Sequence, residues 1–346
     1  MQRVPLGRTG LTVSRLCLGT MTFGTQTGPA EAHAQLDRAL EAGINFLDTA
    51  EMYPVNPISA ETIGRTEEII GDWIARTGRR DDWIIATKIS GEGSKARGGE
   101  PITAAALRRA VEGSLARLRT DRIDLYQFHW PNRGSYHFRQ NWAFDPSRQN
   151  RAATRAHMVE ALETLAALKA EGKIAEFGLS NESAWGMAEW LRLAEAGHGP
   201  RAAAIQNEYS LLCRLYDTDL AELAVNEDVT LLAFSPLGTG LLTGKYAGDV
   251  IPEGSRRTLN PALGGRISPR VWEAVSTYLG IAHEAGLDPA RMALAWTLTR
   301  PFPVVPIFGA TTLAQLDHLL PAAEMVLPED VLAALDAAHR AHPMPY

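Results

Sequence analysis

Four side chains suited to acid–base chemistry occupy related positions in this sequence. Asp48, Lys88 and His129 each close a short apolar run, and Tyr53 follows Asp48 by five residues. Taken singly, each has an ordinary explanation: a loop contact for the aspartate, solvation for the lysine, and packing for the histidine and the tyrosine. Their shared placement favours one common site, because the rim of a barrel of parallel strands brings such ends together.

These residue types can together protonate a carbonyl oxygen. Hydride addition to a carbonyl leaves negative charge on oxygen, and a tyrosine with an ordinary pKa of about 10 is a reluctant donor at neutral pH. An ammonium such as Lys88 lowers the pKa of Tyr53, and Asp48 can pair with Lys88 and hold it in place. His129 can hydrogen-bond the same oxygen or assist proton transfer. No side chain supplies a hydride, so this chemistry requires a cofactor.

Eight short apolar runs are the candidate strands that must position these side chains. Each is continuously apolar, which is typical of strands buried on both faces. The runs are Leu16–Gly19, Asn45–Thr49, Trp83–Lys88, Ile123–His129, Ile174–Leu179, Ala203–Gln206, Thr230–Phe234 and Val304–Phe308. Amphipathic helical stretches such as His157–Ala170 separate most of them. Eight strand–helix units favour an α/β fold closed as a (β/α)8 TIM barrel over a doubly wound open sheet.

The rest of the chain adds a short N-terminal segment and no second domain. Val4–Thr12 has glycines at two positions and predicts a small hairpin that caps the bottom of the barrel. No low-complexity linker or break in composition interrupts the sequence. We therefore expect one domain spanning residues 1–346.

Composition excludes several classes of function. The chain has 346 residues, a net charge of −6 and 45% hydrophobic residues, which is ordinary for a soluble globular protein. Arginines are scattered among acidic residues, so neither nucleic acid nor an anionic membrane is an expected partner. The N-terminus lacks the apolar core of a signal peptide. The two cysteines, Cys17 and Cys213, indicate a reducing compartment such as the cytoplasm and no metal site.

Two long connections, Trp130–Ala156 and Gly238–Ile267, follow strands and therefore belong to the active-site face of a barrel. The first is rich in aromatic residues and arginines, and such aromatic walls suit a small organic carbonyl compound. The candidate substrate contacts are Met21, Tyr53, Trp130, Trp142 and Phe144.

Eight motifs make the sequence similar to the aldo-keto reductase superfamily over essentially its whole length, with the closest resemblance to the bacterial Tas-like branch. They are LGTMTFG at 18–24, GINFLDTAEMY at 43–53, IIATK at 84–88, DLYQFHWP at 124–131, GLSN at 178–181, IQNEYSLL at 205–212, FSPLGTGLLTGKY at 234–246 and IFGATTLAQL at 307–316. The resemblance implies a (β/α)8 barrel that binds NADP(H) across its rim, with Asp48, Tyr53, Lys88 and His129 as the catalytic tetrad and Tyr53 as the general acid.

The resemblance also implies a set of cofactor contacts. Ser180, Asn181 and Gln206 match positions that hold the nicotinamide carboxamide, and Phe234 matches an aromatic position that stacks on its ring. The loop around Leu237, Gly240 and Lys245 matches the segment that crosses the pyrophosphate, while Gly309, Thr311 and Gln315 match a late phosphate-binding segment. The full predicted set is Gly19, Thr20, Met21, Asp48, Ser180, Asn181, Gln206, Phe234, Ser235, Pro236, Leu237, Gly240, Leu242, Lys245, Arg256, Gly309, Thr311 and Gln315.

The adenosine end of this pattern departs from the family. Ala314 and Leu319 stand where many relatives have an acidic residue and an asparagine, and no lysine or arginine lies within Gly309–Leu320. Arg300 or the pair Arg256–Arg257 would then have to meet a 2′-phosphate. The expectation is NADPH rather than NADH, acting on an aldehyde or ketone. The alternative is a nucleotide-binding regulatory subunit with slow turnover, and a monomer or weak homo-oligomer is expected.

Overall fold

The computed structural model describes residues 1–346, in which eight parallel strands form a closed barrel. The barrel strands are β3 (Cys17–Gly19), β4 (Phe46–Asp48), β5 (Ile84–Ile89), β6 (Ile123–Phe128), β7 (Ile174–Ser180), β8 (Ala202–Glu208), β9 (Thr230–Phe234) and β10 (Val304–Phe308). Around the barrel, their order is β10-β3-β4-β5-β6-β7-β8-β9. The predicted (β/α)8 TIM barrel is confirmed, and the doubly wound open sheet is excluded.

Helices surround the barrel. They are α1 (Pro29–Glu41), α2 (Arg65–Thr77), α3 (Ala104–Leu118), α4 (Arg151–Ala170), α5 (Ala184–Glu195), α6 (Asp219–Glu227), α7 (Arg256–Leu259), α8 (Pro269–Glu284), α9 (Pro289–Thr297), α10 (Leu313–Leu319) and α11 (Glu329–Ala341). Several begin at a side-chain cap: Ser268 Oγ accepts from the Val271 amide, and a proline follows it at the first helical position.

Two predicted connections differ from the structure at their boundaries. The helix expected at His157–Ala170 begins six residues earlier, at Arg151, because the Asn150 side chain caps it by accepting from the Ala153 amide. The first long connection therefore ends at Asn150 rather than Ala156. The second long connection contains the short helix α7, which the sequence did not predict.

The interior of the barrel explains why the polar residues gather at one end. Alternate residues of a strand point the same way, and four of the barrel strands have an apolar residue two positions before a polar one. Phe46 precedes Asp48, Ala86 precedes Lys88, Leu125 precedes Gln127 and Ala204 precedes Gln206. The apolar members belong to one buried cluster with Cys17, Leu232, Val305 and Ile307. The polar members therefore form the next layer, toward the carboxyl ends of the strands.

The N-terminal hairpin packs against the opposite end of the barrel. Strands β1 (Arg3–Pro5) and β2 (Thr12–Ser14) pair antiparallel. Leu6 and Val13 are fully buried in the same cluster as the barrel interior. The Gly7 amide donates to Thr230 Oγ1, at the start of β9, at 2.9 Å. The predicted bottom cap is confirmed.

None of the helices is both long enough and apolar enough to cross a membrane.

Candidate active site

Asp48 and Lys88 form a buried ion pair at the end of the barrel. Lys88 Nζ donates to Asp48 Oδ2 at 2.8 Å and to the Thr49 carbonyl at 2.7 Å, and the lysine side chain is fully buried. Burial lowers the pKa of Lys88, but the carboxylate of Asp48, and then Tyr53, raise it by more, so its pKa lies above the usual value. Lys88 is therefore a fixed ammonium.

Tyr53 lies beside that ammonium. The distance from Lys88 Nζ to the centroid of the Tyr53 ring is 5.0 Å. Burial raises the pKa of Tyr53 above its ordinary value; Lys88 opposes the rise and Asp48 adds to it. The lowering by Lys88 that the sequence predicted is thus present but outweighed by burial. The phenol stays protonated at neutral pH and remains available as a proton donor.

His129 completes the group from the end of β6. Its ring meets the Tyr53 ring edge-on, with centroids 5.8 Å apart. Burial, together with the positive charge of Lys88, puts the pKa of His129 well below its usual range. His129 is therefore a neutral imidazole, able to donate one hydrogen bond and to accept another. Its Nδ1 is buried and has no hydrogen-bond partner within the protein.

A network of amide side chains adjoins the ion pair. Gln206 Nε2 donates to Asp48 Oδ1 at 2.8 Å, and Gln127 Nε2 lies 3.5 Å from the same atom. Ser180 Oγ donates to the Gln206 carbonyl at 2.7 Å, and Asn181 Nδ2 donates to the His129 carbonyl at 2.9 Å. The remaining amide oxygen of Asn181, Oδ1, is buried without a partner. The predicted residues Ser180, Asn181 and Gln206 therefore form, with Gln127, one connected surface beside the tetrad.

The segment after β9 is a series of tight turns that ends at a cation. The Gly238 amide donates to the Ser235 carbonyl, and the Gly240 and Leu242 amides donate to the Leu237 carbonyl. Gly240 has a φ of +101°, and a Cβ there would lie 2.8 Å from Lys245 Cε. The positive φ therefore favours glycine at this position. Phe234 is half-buried and Pro236 is buried at the start of this turn.

Lys245 and Arg256 are two cations without a carboxylate partner. The Asn56 amide, oriented so that its oxygen faces the guanidinium, accepts from Arg256 Nε at 3.0 Å and Nη2 at 2.7 Å. Arg256 Nη2 also lies 3.6 Å from Met21 Sδ. Burial, followed by the charge of Arg266, lowers the pKa of Arg256 to about 10. Loss of water and the neighbouring Arg256 lower the pKa of Lys245.

The ends of β3 and β10, which pair in the barrel, come together at the rim. Thr20 Oγ1 donates to the Asp48 carbonyl at 2.8 Å. A Cβ at Gly309 would lie 3.1 Å from the Gly19 carbonyl, so these two predicted glycines pack backbone to backbone. Gln315 Oε1 accepts from the Thr311 amide and hydroxyl, both at 3.0 Å.

The other two arginines considered for a 2′-phosphate are already engaged. Arg257 pairs with Asp249 at 2.8 Å, and Arg300 lies 3.7 Å from Asp217 with its guanidinium over the Trp296 ring. Arg256 is therefore the member of the three that has no carboxylate partner.

An aromatic series leads outward from His129. The His129 and Trp130 ring centroids are 5.1 Å apart, and the Trp130 and Phe138 centroids are 6.0 Å apart. Trp130 Nε1 donates to the Glu92 carbonyl at 3.1 Å, and Gly91 packs directly against the indole, with no room for a Cβ. The indole is thereby fixed in place, and Phe138, which sequence reasoning did not select, continues the series to the surface.

The structure places two predicted substrate contacts elsewhere. Trp142 is 58% exposed and packs under the Arg270 guanidinium. Phe144 lines a cavity of about 570 Å³ between the first long connection and helices α4 and α5, which Ser180 also lines. Neither contacts Tyr53 or His129 in this arrangement.

Sequence reasoning also missed Gln127, although a signal was available. Gln127 is two residues before His129 in β6 and therefore shares its inward face. It missed Asn56 as well, because an asparagine in a loop gives no indication that it faces an arginine 200 residues later in the chain.

Comparisons with known proteins identify the family of this chain. The sequence profile of the Aldo/keto reductase family matches residues 15–340. Protein tas of Escherichia coli (strain K12) is 42% identical over 350 residues, covering 100% of this chain and 99% of that protein. The uncharacterized oxidoreductase YrpG of Bacillus subtilis (strain 168) is 33% identical, covering 97% of this chain and 95% of that protein. Norsolorinic acid reductase stcV of Emericella nidulans is 31% identical, covering 89% of this chain and 73% of that protein. The chain therefore belongs to the aldo/keto reductase family, in its Tas-like branch.

Proposed function

We propose that this protein is an NADP(H)-dependent oxidoreductase that reduces an aldehyde or ketone to an alcohol. The observation that carries the proposal is the fixed ammonium of Lys88, paired with Asp48 at 2.8 Å and adjacent to the protonated Tyr53. Asp48, Tyr53, Lys88 and His129 are the proposed catalytic residues.

The proposed roles follow from the protonation states. A bound reduced nicotinamide supplies the hydride for the carbonyl carbon. Tyr53 donates its hydroxyl proton to the carbonyl oxygen, which completes the alcohol, and Lys88 stabilises the phenolate that remains. Asp48 holds the ammonium in position. Neutral His129 hydrogen-bonds the carbonyl oxygen as its negative charge develops.

Unpaired polar groups support the proposed cofactor contacts. The partnerless Oδ1 of Asn181 is suited to accept from a carboxamide N–H, beside Ser180 and Gln206. Lys245 and Arg256 lack carboxylate partners and suit phosphate oxygens. Because these two cations have no carboxylate partner, we propose NADPH over NADH, with Arg256 as the arginine for the phosphates.

The substrate is proposed to lie against Tyr53, Met21 and the Trp130–Phe138 wall. A fixed indole followed by a second aromatic ring suits an aromatic carbonyl compound. Trp142 and Phe144 are not proposed as contacts. The relative named norsolorinic acid reductase adds norsolorinic acid to the substrate panel.

NADPH absorbance with a panel of aromatic aldehydes, aromatic ketones, dicarbonyls and sugars tests this proposal. Tyr53→Phe is expected to remove most turnover while NADPH still binds. Tyr278→Phe is a matched control, since Tyr278 is a buried tyrosine in α8 whose hydroxyl has no hydrogen-bond partner. Near-normal reduction by Tyr53→Phe contradicts the mechanism. An equal or better kcat/KM with NADH contradicts the cofactor preference, and tight NADPH binding with no turnover across the panel favours the regulatory subunit.

A further inference from the structure

Glu208 is a buried carboxylate for which the proposed mechanism has no role. It ends β8, two residues after Gln206, and is 8% exposed. It accepts hydrogen bonds from Arg266 Nε at 2.7 Å, Arg139 Nη1 at 3.0 Å and the Tyr346 hydroxyl at 2.9 Å. Two charged guanidinium donors and one hydroxyl donor on one buried carboxylate make a strong, geometrically defined junction.

The three donors come from separate segments of the chain. Arg139 belongs to the connection between β6 and α4, Arg266 to the connection between β9 and α8, and Tyr346 lies beyond α11. Glu208 itself sits on a strand with a full ladder of partners in β9. The carboxylate therefore fastens two long connections to a rigid element of the barrel.

Both connections carry a wall of the proposed active site. Phe138 is adjacent to Arg139 in sequence and packs edge-on against Trp130. On the other side, Arg256 belongs to the same connection as Arg266 and contacts Met21. A shift of either connection away from Glu208 would displace one of these walls.

The local charge balance depends on this one carboxylate. Burial raises the pKa of Glu208, but Arg266 and Arg139 lower it by more, so the group stays ionised. Arg256, which has no carboxylate partner, interacts with both of these arginines. Without the charge of Glu208, three guanidinium groups would repel one another with no buried carboxylate between them.

We propose that Glu208 is a positioning residue that holds the two long connections closed over the catalytic pocket and so determines the affinity for the carbonyl substrate. This inference rests on the proposed function. Glu208 contacts neither Tyr53 nor Lys88, so its action is on the walls of the pocket rather than on proton transfer.

Glu208→Gln tests the inference, because the amide keeps the shape of the side chain and removes its charge. We expect KM for the carbonyl substrate to rise by about tenfold or more, while kcat changes by less than about threefold. The matched control is Asp124→Asn: Asp124 is also a buried carboxylate, paired with Arg80 at 2.7 Å, but it lies at the start of β6, at the opposite end of the barrel. The control is expected to lower stability and leave KM unchanged.

A second variant and a second measurement keep the test decisive if Glu208→Gln folds poorly. Arg139→Gln releases only the first connection and leaves the Arg266–Glu208 pair in place, so a smaller rise in KM is expected. Trypsin cleavage within residues 131–150 and 235–268 is expected to accelerate in Glu208→Gln and not in Asp124→Asn. This readout needs no substrate, so it tests the closure even if no carbonyl is reduced. Unchanged KM and cleavage in Glu208→Gln, or equal changes in the control, overturn the inference.

Discussion

The ion pair between Asp48 and Lys88 allows stability and catalysis to be separated by a double-mutant cycle. The variants are Asp48→Asn, Lys88→Met and the two combined. Met matches the length of lysine, and Asn keeps an oxygen for the Gln206 and Gln127 amides that donate to Asp48 Oδ1. Each single change leaves one charge buried, and the double change removes both.

The structure sets the size of the expected effects. Two unit charges 2.8 Å apart interact by about 6 kcal/mol at an effective dielectric constant of about 20, and the cost of removing both charges from water offsets most of this gain. Breaking a buried pair from one side costs about 3–5 kcal/mol. Asp48→Asn should be the more costly single change, because it leaves the Lys88 ammonium with the Thr49 carbonyl alone as an established acceptor. In Lys88→Met, the Asp48 carboxylate keeps the amide groups of Gln206 and Gln127 as donors. The double variant should recover at least about 2 kcal/mol relative to the sum of the singles.

The pH dependence of stability gives a second signature of the same pair. In the wild type the pKa of Lys88 is raised, so its contribution to stability is fully present below the unfolded value of about 10.4 and is lost as pH rises through the folded value. In Asp48→Asn the ammonium is buried without its partner, which lowers the folded pKa of Lys88 below the unfolded value. The stability of that variant should therefore increase as the pH is raised toward the unfolded value.

Urea unfolding of the four proteins measures the cycle, and NADPH-coupled carbonyl reduction measures catalysis. We expect the double variant to regain stability without regaining turnover, because it lacks the ammonium that stabilises the Tyr53 phenolate. Additive destabilisation in the double variant, or turnover close to that of the wild type, would refute the proposed role of the pair.

Three further predictions concern other parts of the molecule. Burial lowers the pKa of His129, so kcat for reduction should stay level as the pH falls from about 8 to about 6; a loss with an apparent pKa near 6.5 in kinetic profiles would contradict a neutral His129. Gly91→Ala places a methyl group against the Trp130 indole and should raise KM for aromatic carbonyl substrates more than for small aliphatic ones in steady-state kinetics; an equal effect on both would argue against the aromatic wall. Gly280→Ala, in the interior of α8 with open space at its Cβ, should raise the free energy of unfolding by about 0.5–1 kcal/mol in urea, and a loss of stability would show that the position is not open.

The barrel was predictable because its strands carry a local signal. Each of the eight predicted runs overlaps an observed strand, with differences of one or two residues at most ends. Continuous burial of a parallel strand leaves an apolar run that can be found without knowledge of its neighbours. The short helix α7 and the early start of α4 were missed because their positions depend on caps and tertiary contacts rather than on periodicity.

The candidate site was predictable only in part. Residues at strand ends, such as Lys88 and His129, could be placed together once a barrel was assumed, and their catalytic roles remain predictions. To predict the direction of the pKa shift of Tyr53, one must know how far its side chain is buried, and the spacing of residues in the sequence does not reveal this. The junction at Glu208 required contacts between residues separated by up to 138 positions, which a single sequence does not encode as a pattern.

The burial of the hairpin residues Leu6 and Val13 determines how ligands can reach the active site. The hairpin closes the amino-terminal end of the barrel, and side chains fill its interior. The active-site pocket therefore has a single opening, and every ligand that reaches Tyr53 must enter from the rim. Two ligands that share a single entrance cannot exchange independently when one lies beneath the other. The deeper one must enter first and leave last, so product-inhibition kinetics should report a compulsory order of binding.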